Sequence, residues 1–521
     1  MLQTWAEQRL VQSIAEPLSW AVLVIYYAAL FALALFGLYR FWLWRKSRTT
    51  TTGSLSSPGQ LSDNSLPEVV VQLPVYNERY VAERLVNAVC LLDYPRDRLH
   101  VQVLDDSTDD TRHQLAGLID AWRARGVRID HLTRPHRVGF KAGALDEGLK
   151  KSTAPLIAIF DADFVPPTDF LLRAVPHFSQ PAVGMVQAQW DYLNRDQSVL
   201  TRAQAVLLDA HFLVEQPGRA AAGLWFNFNG TAGIWRRQAI DDAGGWMHDT
   251  LTEDLDLSYR AQLAGWKFVY CAELGVASEL PTLMSGLKSQ QARWATGGAQ
   301  TMRKLWRSMM RHEQRQRRQR LHGWIHLVSP LGHLSLLTIA LLYLPSLLVR
   351  QRLGLSGLFW LDQLLLVAGT GSFTWVFTDA VRRRGIFSAG RVTDLVAAMV
   401  LGLGLAVANS RAVITGLLAM GGDFHRTPKY AETLSVNQWS VTTPRYRTAV
   451  DHTWFYEAAM AAYSVLALCM GVLMHWWSSL PFLAMFAVGY VVVFLQTFDA
   501  RLPPRQLPTR APRPTNHYIL E

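Results

Sequence analysis

Long apolar stretches flanked by basic residues stand on both sides of this chain's central region, and they commit part of it to a hydrocarbon environment. The first runs from Leu18 to Leu38, about the 20 residues that a bilayer core requires. Others lie near Trp324–Val349, Leu358–Phe377, Trp454–Met474 and Pro481–Phe498. A cleaved leader competes for the first stretch. The basic run that follows at Arg40, Arg45 and Lys46, with no small-residue cleavage site, favours a retained span. That charge places the N-terminus outside and everything after Arg45 in the cytoplasm. A polar segment rich in Ser, Thr and Gly, Ser47–Leu66, reads as a flexible linker.

Val392–Met420 is also apolar, but parity argues against a sixth span. Arg382–Arg384 before it and His425, Arg426 and Lys429 after it both have the basic character of cytoplasmic flanks, and one crossing cannot join two ends on the same side. Arg411 and several glycines within it point to a helix lying along the interface. Arg350 and Arg352 run against the charge rule on the outer side. Five spans are expected.

The basic excess, a net charge of +10, would suit a nucleic-acid partner, but it collects beside the apolar stretches at Arg40–Arg48, Arg303–Arg320, Arg382–Arg384 and Arg501–Arg513. Such clusters read as membrane flanks in contact with lipid headgroups, so no nucleic-acid partner is expected. The 19 tryptophans fit a chain with membrane interfaces. The three cysteines, Cys90, Cys271 and Cys469, match no zinc or disulfide spacing, which points to a reducing compartment.

Between Val69 and about Leu280, short β-branched runs alternate with amphipathic stretches, as in a parallel sheet covered by helices. Strands are expected at 69–74, 100–105, 155–161 and 183–190. Ligands bind beyond the carboxyl ends of such strands, so Asn77, Asp105 and Asp161 should face one crevice.

Asp161 and Asp163 flank a single alanine after a buried run. Carboxylates that close repel unless a cation sits between them, and Mg²⁺ or Mn²⁺ takes such oxygens together with substrate phosphates. A helix cap before Pro166, Pro167 and Thr168 is the competing reading. In the loop after Asp105 and Asp106, Asp109 and Asp110 read as caps, whereas Asp105 is placed to hold a nucleobase or ribose. Lys141 in GFKAGAL, with Arg134 and Arg137 upstream, either neutralises a nucleotide or is an exposed lysine at a helix start. Thr252-Glu253-Asp254 precedes a helix; Thr252 can cap it, yet capping does not account for Glu253, Asp254 and Asp256 together. A carboxylate here could take the proton of an attacking hydroxyl. In Gln290-Gln291-Ala292-Arg293-Trp294 the indole can stack on a sugar and the guanidinium can hold diphosphate oxygens, while core packing of Trp294 is the plainer alternative. Asn229 and Gly230 lie in a small-residue turn, Phe228–Gly233, that a bulky acceptor could approach closely.

These motifs, in this order over roughly Val69–Lys304, resemble processive family 2 membrane glycosyltransferases. The wording VQLPVYNE, VQVLDDSTD, GFKAGAL, IFDADF, FNGTAGIWR and QQARW is closest to the cellulose-synthase-like A, mannan and glucomannan synthase branch. The resemblance implies an α/β GT-A-like nucleotide-sugar domain joined to an α-helical transmembrane region. It implies nucleotide binding by Asn77, Glu78, Asp105, Lys141 and Asp161, and a Mg²⁺ or Mn²⁺ site at Asp161 and Asp163. Asp254 becomes the catalytic base; Asn229, Gly230, Gln290, Arg293 and Trp294 serve acceptor and diphosphate. Phe424, Thr427 and Lys429 resemble a gating loop, with His425-Arg426 replacing the usual small hydrophobic pair. Only the basic tail Arg501–Glu521 follows the last span, so the cyclic-dinucleotide control of some bacterial cellulose synthases is not expected.

The expected plan is a membrane helix (1–46), a linker (47–66), the catalytic domain with a basic interfacial helix (67–322) and two spans (323–381). An interfacial helix and gating loop (382–450), two further spans (451–500) and a cytoplasmic tail (501–521) follow. The expected activity is inverting transfer of a hexose from a UDP- or GDP-sugar to a growing polysaccharide of β-mannan or glucan type. It would be carried out by a multi-pass protein of a plasma or bacterial inner membrane that also translocates the product. Transfer of one sugar to a membrane lipid and a non-catalytic carbohydrate-binding or transport role are the alternatives.

Overall fold

A computed structural model describes residues 2–48, 66–311, 317–355, 357–422, 429 and 453–499, with side chains described from residue 16 and excluding those of Arg311 and Asp499. Nearly all of the expected linker, Phe424 and Thr427 of the gating loop, and the tail Arg501–Glu521 lie outside the described residues.

The central region folds around a seven-stranded sheet: β1 (Val69–Val75), β2 (Leu99–Asp105), β3 (Ile129–Thr133), β4 (Leu156–Ile159), β5 (Val183–Tyr192), β6 (Gly233–Arg236) and β7 (Lys267–Ser278). Their spatial order is β3-β2-β1-β4-β6-β5-β7. All seven residues of β2 and six of the seven in β1 are buried, because helices cover both faces. The period of two then divides each strand between two cores. Val69, Val71, Leu73 and Val75 join one cluster and Val70 the other.

The expected all-parallel sheet is corrected in one place. β6 runs antiparallel to both β4 and β5, which makes the sheet mixed. The turn at Gly230–Ala232, with φ +83° at Gly230 and +54° at Ala232, delivers the chain into β6 in that direction. Four residues are too few to display a strand period, and β3 and β7 were likewise not anticipated.

Among the described residues five helices are long and apolar enough to cross a membrane: Glu16–Arg48, Arg317–Leu353, Leu358–Arg383, Trp454–Leu473 and Leu480–Phe498. The stretch from Ala389 to Leu418 is broken at Leu405 into halves bent by 46°, and counts as a sixth only when the halves are joined. This bent pair is wedged against the sheet domain. Asp394 accepts from Arg202 Nε at 2.8 Å, and Arg391 pairs with Asp196 at 2.6 Å. At Gly416 a Cβ would come within 2.3 Å of the Thr296 carbonyl, so only glycine lets the pair sit on the helix Met284–Arg311.

Buried charges explain two features of the apolar region. Arg350, which violates the charge rule, pairs with Asp362 of the next apolar helix at 2.7 Å, and Tyr26 of the first helix donates to the same carboxylate. Lys288, in the helix Met284–Arg311, pairs with Glu457 and donates to Thr453 at 2.9 Å and Thr497 at 3.3 Å, tying the sheet domain to the last two apolar helices.

Candidate active site

The strand ends at Val75, Asp105 and Ile159 open onto one cleft, roofed by the helix Met284–Arg311. Lys141, in the first turn of the helix Phe140–Lys150, is held inside the cleft rather than in solvent. Its Nζ lies 2.5 Å from Asp161 Oδ1 and donates to the Gly230 carbonyl at 2.8 Å. Burial works against its charge, but Asp161 and then Glu253 outweigh that, so its pKa is raised.

Asp254 stands across this contact. A Cβ on Gly230 would lie 3.0 Å from Asp254 Oδ2 and 3.5 Å from Lys141 Nζ, which places carboxylate, lysine and turn in one knot. The other carboxylate oxygen accepts from the Leu255 amide at 2.8 Å. Burial first, and then the charge of Glu253, push the Asp254 carboxyl up to about 7, with Lys141 and Arg293 pulling it back. That is where a carboxylate can act as a proton acceptor near neutrality. The capping alternative fails here, since Thr252 makes no side-chain cap and its hydroxyl instead meets Thr301 at 3.3 Å. Asp256 has a structural explanation: it is fully buried and ion-paired with Arg260 at 2.8 Å and Lys304 at 3.0 Å.

Asp163 Oδ2 accepts from Lys429 at 2.8 Å and from the Glu279 amide at 3.3 Å, and Lys429 also donates to the Glu279 carbonyl. Each carboxylate of the Asp161–Asp163 pair is thus neutralised by a lysine. The two carboxylates supply hard oxygen donors of the kind that a divalent cation takes together with phosphate oxygens. Among the described residues no group of three or more His, Cys, Asp or Glu side chains could hold a metal by protein ligands alone.

The nucleotide-side residues divide. Asp105 is fully buried, with Oδ1 taking the Ser107 amide and Oδ2 facing His131 Nε2, both at 2.8 Å. It braces the loop from beneath, and the neighbouring Asp106 lines the cleft. Asp106 is gripped by Arg134 through two contacts, of 3.0 and 2.5 Å. Arg137 lies 3.4 Å over the Tyr76 ring, also at the cleft wall. Asn77 sits behind them in the left-handed region, φ +56°, and accepts from the Thr108 amide at 2.8 Å, while Glu78 lines the cleft. Asp109 caps Thr111 at 3.0 Å as read from the sequence; Asp110 makes no such cap and pairs with Arg79 at 3.6 Å.

On the acceptor side, Gln290, Arg293 and Trp294 fall at helical spacing on one face and all line the cleft. Trp294 is only partly buried, so core packing does not account for it. Asn229 holds the turn from within: its amide donates to Gln187 and its Oδ1 accepts from Gln216, both at 2.9 Å. Tyr76, Asp106, Glu279 and Trp190 line the cleft without having been picked out as site residues. Tyr76 lies inside the quoted VQLPVYNE and Asp106 inside VQVLDDSTD, so both were within reach; Glu279 and Trp190 carry no motif of their own.

Residues 67–297 match the family described as Glycosyltransferase like family 2. Over 259 residues the chain is 46% identical to glucomannan 4-beta-mannosyltransferase 2 of Arabidopsis thaliana, covering 49% of this chain and 48% of that protein. It is 48% identical over 244 residues to probable glucomannan 4-beta-mannosyltransferase 7 of Oryza sativa subsp. japonica, covering 46% and 42%. The match therefore spans about half the length of these relatives or less. Among solved structures, a mannosyltransferase from Pyrobaculum calidifontis in complex with GDP-Man and Mn²⁺ aligns with a TM-score of 0.50 at 20% identity, over 73% of this chain and 99% of that one. This likeness concerns the GT-A-like fold. The curated relatives are plant proteins and lend no support to a bacterial setting.

Proposed function

We propose, because residues 67–297 match the family described as Glycosyltransferase like family 2, that this chain is an inverting hexosyltransferase. It transfers a sugar from a nucleotide donor to the hydroxyl of a growing β-linked polysaccharide. The observation that carries this reading is Asp254, a carboxylate poised at about 7 and set against Gly230 and Lys141 in the same cleft as Gln290, Arg293 and Trp294. The names of the relatives, alike over the catalytic region, favour mannose in 4-linkage and hence a β-mannan or glucomannan product.

The donor's nucleotide rests along Tyr76, Glu78, Asp106 and Arg137, with its diphosphate towards Asp161 and Asp163. Those two carboxylates would hold Mg²⁺ or Mn²⁺, which when bound supplies positive charge against the departing diphosphate. Lys141 from the wall and Arg293 from the roof add fixed positive charge. The acceptor sugar stacks on Trp294, and its hydroxyl gives its proton to Asp254 as it attacks the anomeric carbon from the face opposite the leaving group. One displacement inverts the configuration, and no covalent sugar–enzyme species is needed. Asn77 and Asp105 act by shaping the nucleotide loop. Lys429 approaches the diphosphate from the segment that resembles a gating loop.

The five apolar helices make this a multi-pass membrane protein in our reading, with the catalytic domain on the cytoplasmic side of a membrane whose lipids meet its basic flanks. The bent pair lies along the interface, and the spans carry the product outward. The test is product analysis. The protein in lipid nanodiscs, given GDP-mannose or UDP-glucose with Mn²⁺, should make a polymer degraded by a linkage-specific glycanase. Label recovered only in the lipid phase would overturn the polysaccharide reading.

A further inference from the structure

We infer that Trp190 is a second stacking surface for the acceptor, set beside the diphosphate site on the cleft wall; this rests on the hexosyltransferase reading above. Trp190 stands near the carboxyl end of β5, two residues after the register of β5 against β7 shifts between Ala188 and Gln189. Trp190 as a residue is partly exposed, although its indole Nε1 is buried, and it lines the cleft together with Asp163, Leu280 and Lys429.

The ring is supported like a platform. Phe212 stacks against it at a centroid distance of 4.8 Å and an interplanar angle of 28°. Phe164 meets it edge-on at 5.1 Å and 69°. Phe164 directly follows Asp163, so the diphosphate-side carboxylate and the indole are set by the same turn. The backbone is held as well: the Trp190 carbonyl accepts from Arg384 Nη2 at 2.8 Å, and Arg384 is itself fixed by the buried Asp209 at 2.8 Å. Arg384 closes the apolar helix Ser372–Arg383, so the position of the indole is tied to the membrane region.

A rigid aromatic at a polar cleft suits a sugar ring, whose C–H face is apolar and whose rim of hydroxyls is not. With Trp294 on the roof and Trp190 on the wall, an acceptor chain of more than one sugar has an indole on each of two sides of the cleft. A nucleotide donor, bound on the Tyr76 and Asp106 side, does not need the second surface.

The experiment compares Trp190→Leu and Trp190→Tyr with wild type in nanodiscs. Donor affinity is measured by calorimetry with the nucleotide sugar, and transfer is followed to β-1,4-linked mannose and glucose tetrasaccharides. Leucine keeps apolar bulk but removes the flat face. It should raise the acceptor KM by about tenfold, the worth of one good stacking contact, and leave donor affinity within about twofold. Tyrosine should retain most of the acceptor affinity. A leucine variant with the wild-type acceptor KM, or one that loses donor affinity in equal measure, would overturn the inference by making Trp190 a packing residue. Wild-type protein that transfers no sugar to either tetrasaccharide or to an endogenous chain would instead bring down the hexosyltransferase reading itself.

Discussion

Gly230 and Asp254 stand so close that a Cβ on the glycine would lie 3.0 Å from Asp254 Oδ2. The same glycine adopts φ +83° and turns its carbonyl to Lys141, which in turn holds Asp161. One small residue therefore links the proposed base to the diphosphate side of the cleft, with no side chain standing between them.

Gly230→Ala should damage the enzyme in two ways. The left-handed backbone costs a residue with a Cβ on the order of 1–3 kcal/mol, and the methyl group would push on Asp254. A lower melting temperature and a fall in kcat with little change in donor affinity are expected; an unchanged kcat would contradict this account of the turn.

Activity should depend on pH through Asp254. A general base works only when ionised, so kcat/KM should rise with pH through a midpoint near 7. The negative charge of Glu253 contributes to that elevation, so Glu253→Gln should move the midpoint to lower pH. Asp254→Asn should cut turnover by about 10²–10⁴-fold. A pH–rate profile that stays put in Glu253→Gln would show that some other group sets it.

The paired carboxylates lead to a metal prediction. Chelation should stop turnover, and Mn²⁺ or Mg²⁺ should restore it. Asp163→Asn should raise the metal concentration needed for half-maximal rate by about tenfold or more, since one of only two protein carboxylates loses its charge. Titration of metal against rate in the two proteins checks this.

Breaking the Lys288–Glu457 pair should be costly, because either partner alone would be left as a buried charge, a loss of about 3–5 kcal/mol. Both are almost wholly enclosed, at 3% and 0% exposure. Lys288→Met and Glu457→Gln should each lower the melting temperature in detergent. The double variant should be less damaged than the sum of the two.

The ends of β2 and β4 were legible in the sequence because each buried run stops at or just before an aspartate, and with Asn77 after β1 that put Asn77, Asp105 and Asp161 at one crevice. Lys141 and Asp254 were not reached that way, since a lysine at a helix start and an acid before a helix read equally well as surface and cap. The antiparallel β6 was not, since its direction is decided by two positive-φ residues and not by any periodicity. Asp105 and Asp106 differ only in which way each side chain turns at a strand end, which no spacing reveals. Long-range charge pairs were hidden for a simpler reason: Lys288 and Glu457 are 169 residues apart. Arg350 read as an anomaly until Asp362, on the following helix, was found against it.

The most direct test of the central claim is product analysis with wild-type and Asp254→Asn protein in nanodiscs, each supplied with labelled GDP-mannose, labelled UDP-glucose and Mn²⁺. The account predicts a labelled polymer from wild type, cut by a β-1,4-mannanase or glucanase, and essentially none from the variant. Polymer formed equally by the variant, or no sugar transfer from either donor, would contradict it.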